Sequence, residues 1–154
     1  MKKKVLTLLA AVVTTTAILA GCSVTKTKSL TYEVETGDNI KVTLDTSDGY
    51  SIQSDLPFTI TKDGSEIMSG TFVTDDGYEY YVTEVTTEGS GAEVIDTGSK
   101  DGNEYTFYKV ESDSFTEYDY ILKVKDSQTG VIMGSTASEE EASKCFQAIT
   151  FSKE

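Results

Sequence analysis

The sequence predicts an α+β domain: an antiparallel β-sheet with one mid-chain helix and a C-terminal capped helix that runs into a short strand. Three observations carry that expectation. From Leu30 onward apolar residues recur at every second position, the period of half-buried strands. The period changes to i, i+3, i+4, i+7 over Tyr78, Tyr81, Val82 and Val85, and again over Ala142, Cys145, Phe146 and Ile149, which is the spacing of one helix face. Asp-Gly and Gly-Ser turns separate these segments at short intervals.

The chain ahead of Leu30 has a different character. Lys2, Lys3 and Lys4 make a positive start, and Val5 to Ile18 follow without a charge. That apolar run is roughly 14 residues, short of the ~20 a helix needs to cross a bilayer. A basic start, a short apolar core and small residues before a cleavage point describe residues 1–21 as a signal peptide. Leu19-Ala20-Gly21-Cys22 closes it. These four residues resemble the lipobox of the bacterial lipoproteins, a Leu and two small residues before a Cys. The resemblance implies diacylglycerol on the Cys22 sulfur, cleavage before Cys22, and acylation of the new amino group by a chain such as palmitate. Cys suits that role because its thiolate is the best side-chain nucleophile near neutral pH. Two acyl chains, at ~0.8 kcal/mol per buried methylene, give stable anchoring. The place implied is the cell envelope, on the outer face of the cytoplasmic membrane, or the outer membrane where the cell has one. In that case Ser23 after Cys22 favours onward sorting. Ser23 to Ser29 is polar and without pattern, so residues 22–29 read as a lipidated tether. Its seven residues beyond Cys22 span at most ~25 Å.

The rest, residues 30–154, reads as a single domain. Leu30, Tyr32 and Val34 alternate with Thr31, Glu33 and Glu35, and Ile40, Val42 and Leu44 repeat the pattern beyond Gly37. Asp45 to Gly49 is a turn, and Tyr50 to Gln53 a short strand. Pro57 stands at the start of a strand carrying Phe58 and Ile60, where its missing donor is harmless. Lys62-Asp63-Gly64-Ser65 is a hairpin turn. Glu66 to Val73 is the returning partner, with Gly70 expected to mark a bulge.

The mid-chain segment carries the first helical stripe. Thr74 or Asp75 can cap it, and Gly89-Ser90-Gly91 ends the region. The β-formers Val82, Thr83, Val85, Thr86 and Thr87 leave a strand open as the rival reading over 76–87. Ala92 to Asp96 is then a short strand, and Asp101-Gly102 a turn. Glu104–Val110 and Glu117–Lys125 make a long hairpin. Its first arm has apolar groups on both faces, Tyr105 and Phe107 against Tyr108 and Val110, so it is expected to be internal and covered on both sides. Val131 to Met133 follows. The last helix opens on Ser138 with Glu141, a capping box in which each side chain satisfies an orphan N–H of the other. Cys145 lies on its apolar stripe and is expected in the core, while Ile149 to Ser152 ends the chain as a strand.

This order, and above all Gly134-Ser135-Thr136-Ala137-Ser138-Glu139-Glu140-Glu141-Ala142 through Phe146 and Ile149-Thr150-Phe151, resembles the PsbP-like fold. The resemblance implies an antiparallel sheet between helices, an α/β/α sandwich. It brings no catalytic residues, and its members act as binding or assembly factors.

Composition limits the chemistry. Removal of the three signal lysines takes the formal charge from −13 to −16, and every basic residue is Lys. Such a surface repels phosphate backbones, so no nucleic acid is expected as a partner. With no His, a His-based nucleophilic triad is excluded, and with one Cys left beside the lipidated one the usual zinc sets are excluded too. No glycine-rich loop has phosphate-binding spacing, and no cofactor is implied. Asp45, Asp48, Asp75, Asp76, Asp96 and Asp101 lie in or beside turns and are the candidates for calcium, although none has EF-hand spacing. Tyr78, Tyr80 and Tyr81 cluster, and Tyr105, Tyr108, Tyr118 and Tyr120 fall on neighbouring strands. Tyrosine joins an apolar body to a polar tip, which suits a binding face. The expectation is a membrane-anchored, non-catalytic domain that binds an envelope protein or a small ligand. A carboxylate- or metal-dependent enzyme and a structural envelope protein without a discrete ligand are the competing readings.

Overall fold

A computed structural model describes residues 26–154 and the backbone of a three-residue strand, β1 (Val12–Thr14). Cys22 and the remainder of the signal segment lie outside the described residues. The domain is mixed and mostly antiparallel β, in two sheets with two helices.

The smaller sheet has the order β1-β2-β3-β11, with β2 at Thr27–Glu33, β3 at Asn39–Asp45 and β11 at Ile149–Lys153. The expected tether is therefore shorter than 22–29. Thr27 already pairs with Asp45 and Lys28 with Leu44, and the Lys26 carbonyl accepts from the Thr46 amide at 2.7 Å. Backbone pairing extends the strand here where the side chains, polar and partly exposed, give no alternation to read.

The larger sheet contains β4 (Tyr50–Gln53), β5 (Phe58–Lys62), β6 (Ser65–Thr74), β10 (Thr129–Ser135), β9 (Thr116–Lys123), β8 (Asn103–Glu111) and β7 (Ala92–Lys100), in that spatial order. The β5–β6 hairpin turns on Asp63 and Gly64, both at positive φ, as a two-residue turn that follows right-handed strand twist requires. The bulge in this hairpin is not at Gly70. Ile60 pairs with Met68 and Thr61 with Glu66, so Ile67 is the extra residue. Gly70 has a different cause: a Cβ there would lie 2.4 Å from Cζ of Phe58 and 2.8 Å from Cγ of Met133. Strand β7 also runs further than Ala92–Asp96. It is a largely exposed edge strand with its own irregularity at Ile95, so burial imposes no alternation on Thr97–Lys100.

Helix α1 (Asp75–Thr86) settles the mid-chain ambiguity. Thr74 caps it, accepting from the Gly77 amide at 3.3 Å. Helix α2 (Glu139–Ala148) carries the expected capping box of Ser138 and Glu141. The two helices lie on opposite faces of the larger sheet, and adjacent residues of β9 prove the point. Tyr120 faces α2, stacking on Phe146 at 3.9 Å between centroids, while Ile121 joins Val85 of α1 and Tyr108 in a separate cluster. The main core lies between the larger sheet and the layer made by the smaller sheet and α2. There Leu30, Val42 and Leu44 meet Phe58, Ile60, Met133, Cys145 and Phe146. Cys145 is fully buried, which pushes its thiol up to about 12. Strand β8 is covered on both faces, as its doubled apolar pattern requires. Among the described residues no helix is long and apolar enough to cross a membrane.

Candidate ligand-binding site

The expected tyrosine face is divided by the sheet. Tyr105, Tyr118 and Tyr120 lie on the main-core side, where Tyr105 donates to Asp96 Oδ2 at 2.7 Å and meets the Phe146 ring edge-on. Tyr78 and Tyr108 lie on the α1 side. Tyr80 and Tyr81 point outward from α1, 60% and 40% exposed, with their rings T-shaped at 5.6 Å. The split follows from β-strand geometry, in which Tyr105 and Tyr108 are three residues apart and so face opposite ways.

The turn aspartates are dispersed. Asp45 closes a turn through Ser47 and shares an open cleft of about 380 Å³ with Asp48. Asp75 pairs with Lys123, and Asp96 accepts from Tyr105. Asp76 is exposed in the first turn of α1. Asp101, in the β7–β8 turn at positive φ, lines a second open cleft of about 440 Å³ beside Asn103 and Lys153. Among the described residues no three acidic or Cys side chains come together as a metal would need.

The acidic groups that do converge are others. On β9, Glu117, Asp119, Ile121 and Lys123 share the α1 face. Ile121 is buried there under α1, and Asp119, one step back on the same face, is covered with it. Gly134 of β10 stands directly across from Asp119. A Cβ on Gly134 would lie 2.9 Å from Asp119 Oδ1 and 3.0 Å from Glu117 Oε1, so both carboxylates pack over this glycine and take the place of a side chain there. Asp119 is only 8% exposed, and its Oδ1 has no hydrogen-bond partner among the described residues. Loss of water and the neighbouring Glu117 raise its carboxyl to about 7, against the opposing pull of the Tyr108 hydroxyl and the Ser135 amide. Burial and Asp119 push the Tyr108 phenol well above its ordinary range, and Tyr81 adds to the shift.

No protein-family model, curated protein or solved structure matches the chain. The site therefore rests on its own geometry.

Asp119 and Glu117 were not among the residues singled out from the sequence, although a signal was present. The polar face of β9 contains one Ile, and β8 beside it is apolar on both faces. A covered strand with an Asp two residues from its buried Ile places that Asp under the cover.

Proposed function

We propose that this chain is a membrane-anchored extracytoplasmic lipoprotein whose domain binds a ligand or partner protein without catalysis, through the outer face of α1 and the carboxylates beside it. The lipobox-like Leu19-Ala20-Gly21-Cys22 supports the anchor. A sheet with helices on both faces, and the Ser138–Phe151 tail, support the PsbP-like comparison, whose members are binding and assembly factors. The observation that carries the binding reading is the pair of exposed rings, Tyr80 and Tyr81, set T-shaped on the outer face of α1. Exposed tyrosine rings are enriched at interfaces and at their hot spots.

A carboxylate-dependent enzyme is the second reading, favoured by the raised Asp119. Binding is preferred because Asp119 is only 8% exposed, too covered for a substrate to reach, whereas the Tyr80 and Tyr81 rings stand open on α1.

Two measurements test the proposal. Intact-mass analysis of the native protein should find an acylated N-terminal Cys22, and a free thiol there would refute the anchor. Photo-crosslinking from position 84, on the exposed side of α1, should trap an envelope component. Tyr80→Ser with Tyr81→Ser should abolish that product, and an unchanged crosslink would refute the α1 face as the binding surface.

A further inference from the structure

A sheet edge leaves a row of backbone N–H and C=O groups to be satisfied, and the edges of this fold are guarded in different ways. Strand β7 has its irregularity at Ile95 and the charges of Glu93, Asp96 and Lys100. Strand β4 is four residues long, and the Lys28 ammonium caps its Ile52 carbonyl at 2.7 Å. Strand β11 has its carbonyls taken by side chains: Lys100 donates to Ile149, and Asn103 Nδ2 to Phe151 at 2.8 Å. Among the described residues the β2 edge is guarded by β1 alone. Val12 stands opposite Thr31, Val13 opposite Leu30 and Thr14 opposite Ser29, antiparallel.

The phase of β2 shows which groups β1 covers. The Val34 amide donates to the Asp38 carbonyl at 3.0 Å, and the Lys26 carbonyl accepts from the Thr46 amide at 2.7 Å. Both bonds belong to the β2–β3 register, so the even-numbered residues of β2 exchange bonds with β3. Thr27, Ser29, Thr31 and Glu33 therefore turn their backbones outward. The strand has seven residues with no proline, glycine or bulge, and so lacks the usual devices against pairing.

We propose that removal of residues 1–21 opens this edge, and that the mature domain uses it to take an antiparallel strand from a partner protein of the envelope. The inference rests on the reading of Leu19-Ala20-Gly21-Cys22 as a cleaved lipobox, and supplies a second docking surface across the larger sheet from α1. The chemistry of the occupant follows β1. Val12-Val13-Thr14 is uncharged and β-branched, which suits an extended backbone. An acidic strand is repelled, because the formal charge of −13 falls to −16 once the three signal lysines are gone. The same repulsion opposes a second copy of this chain. Two-fold pairing of β2 with itself would also send the two lipid leashes to opposite ends of the joined strands. A partner strand of neutral, β-branched residues meets neither obstacle, and its main-chain hydrogen bonds supply the affinity.

The test uses the native acylated protein in mild detergent and synthetic peptides spanning residues 10–17. The protein carries Thr31→Cys or Ser29→Cys and the peptide Val12→Cys or Thr14→Cys, in a glutathione redox buffer. Facing residues of an antiparallel pair lie within disulfide range, and Cys145 is fully buried, out of reach of the exchange. Disulfides are expected for 12 with 31 and for 14 with 29, and not for the crossed pairs. A cysteine-free peptide should compete. N-methylation of its Thr14 amide, which faces Ser29, should weaken that competition about tenfold, the upper end for one backbone hydrogen bond. N-methylation of its Val13 amide, which faces away from β2, should change nothing. Equal yields from matched and crossed pairs, or equal losses from the two N-methyl groups, would overturn the proposal. A Thr31→Cys homodimer that excludes the peptide would make a second copy the occupant and overturn the partner strand. Intact mass separates the two levels. A chain still carrying residues 1–21 overturns the lipobox reading and the opened edge with it; a cleaved chain that takes no peptide overturns the edge alone.

Discussion

The Lys100 ammonium donates to the main-chain oxygen of Phe146 at 2.8 Å and lies over the Phe146 ring, 5.1 Å from its centroid. It also donates to the Ile149 carbonyl. Helix α2 has no basic residue in its own last turn. A lysine from the end of β7 therefore supplies the positive charge that the negative end of the helix favours, and pins an edge strand to the core layer. Burial pulls its pKa down, but the two carbonyls make the buried ammonium worthwhile. Lys100→Met should keep the packing of the stem and lose the charge. A loss of about 1.5–3 kcal/mol is expected from urea unfolding, the range for hydrogen bonds to a charged donor. A change below a few tenths would show that the contact contributes nothing.

Asp119 predicts an inverted pH dependence. Its unfolded pKa is near ~3.9, and the folded value is about 7. Between those values the native state holds a proton that the unfolded chain has released. The contribution to stability is complete below about pH 4 and is lost as pH rises through the folded value. The groups that act on it are Glu117 on its own strand, Tyr108 on β8 and the Ser135 amide on β10, and none is cationic. The melting temperature should therefore fall from pH 5 to pH 8, and Asp119→Asn should flatten that slope and stabilise the protein at pH 8. An identical slope in the variant would refute the assignment.

Among the described residues, Tyr32 carries the other buried side-chain oxygen without a partner. Its ring packs against Phe58 and Phe72 in the main core, and burial pushes the hydroxyl up to about 12. Tyr32→Phe removes a desolvated oxygen and keeps the ring. Stability should rise by about 1 kcal/mol, since an unsatisfied buried hydroxyl costs ~1–3 kcal/mol. Chemical denaturation of both proteins decides it, and a destabilised variant would mean that the hydroxyl is in fact satisfied.

Gly70→Ala tests close packing between strands. The added methyl meets the Phe58 ring and Met133 at distances that no contact tolerates. A loss of about 1–3 kcal/mol follows from overpacking, and Phe58→Leu in the same background should recover part of it. Failure of that rescue would place the strain elsewhere.

Legibility of the fold tracked burial. Ala142, Cys145, Phe146 and Ile149 all face the core, and their period, with a capping box in front of them, marks α2 unambiguously. The doubled apolar faces of β8 revealed that it is covered on both sides. The second half of β7 and the start of β2 left no such mark, because an exposed edge strand and a polar strand end are fixed by backbone pairing alone. The close packing over Gly70 and over Gly134 was hidden for a related reason. Each depends on which residue of another strand stands opposite, and pairing register is a property of the assembled sheet. Asp119 broke local expectation by being acidic on a covered face, the kind of conflict that functional sites retain.

The early start of β2 bears on how the domain would stand in the envelope. With the chain already in the sheet at Thr27, an acyl group on Cys22 would leave four residues of leash, about 14 Å when taut. Anionic headgroups would push a globule of this charge away over the same short range, as ionic screening sets in over about 8 Å. Pulled by its lipid and repelled by the surface, the domain would ride upright with the leash extended. Encounters with membrane neighbours would then become a search in a plane at one fixed height.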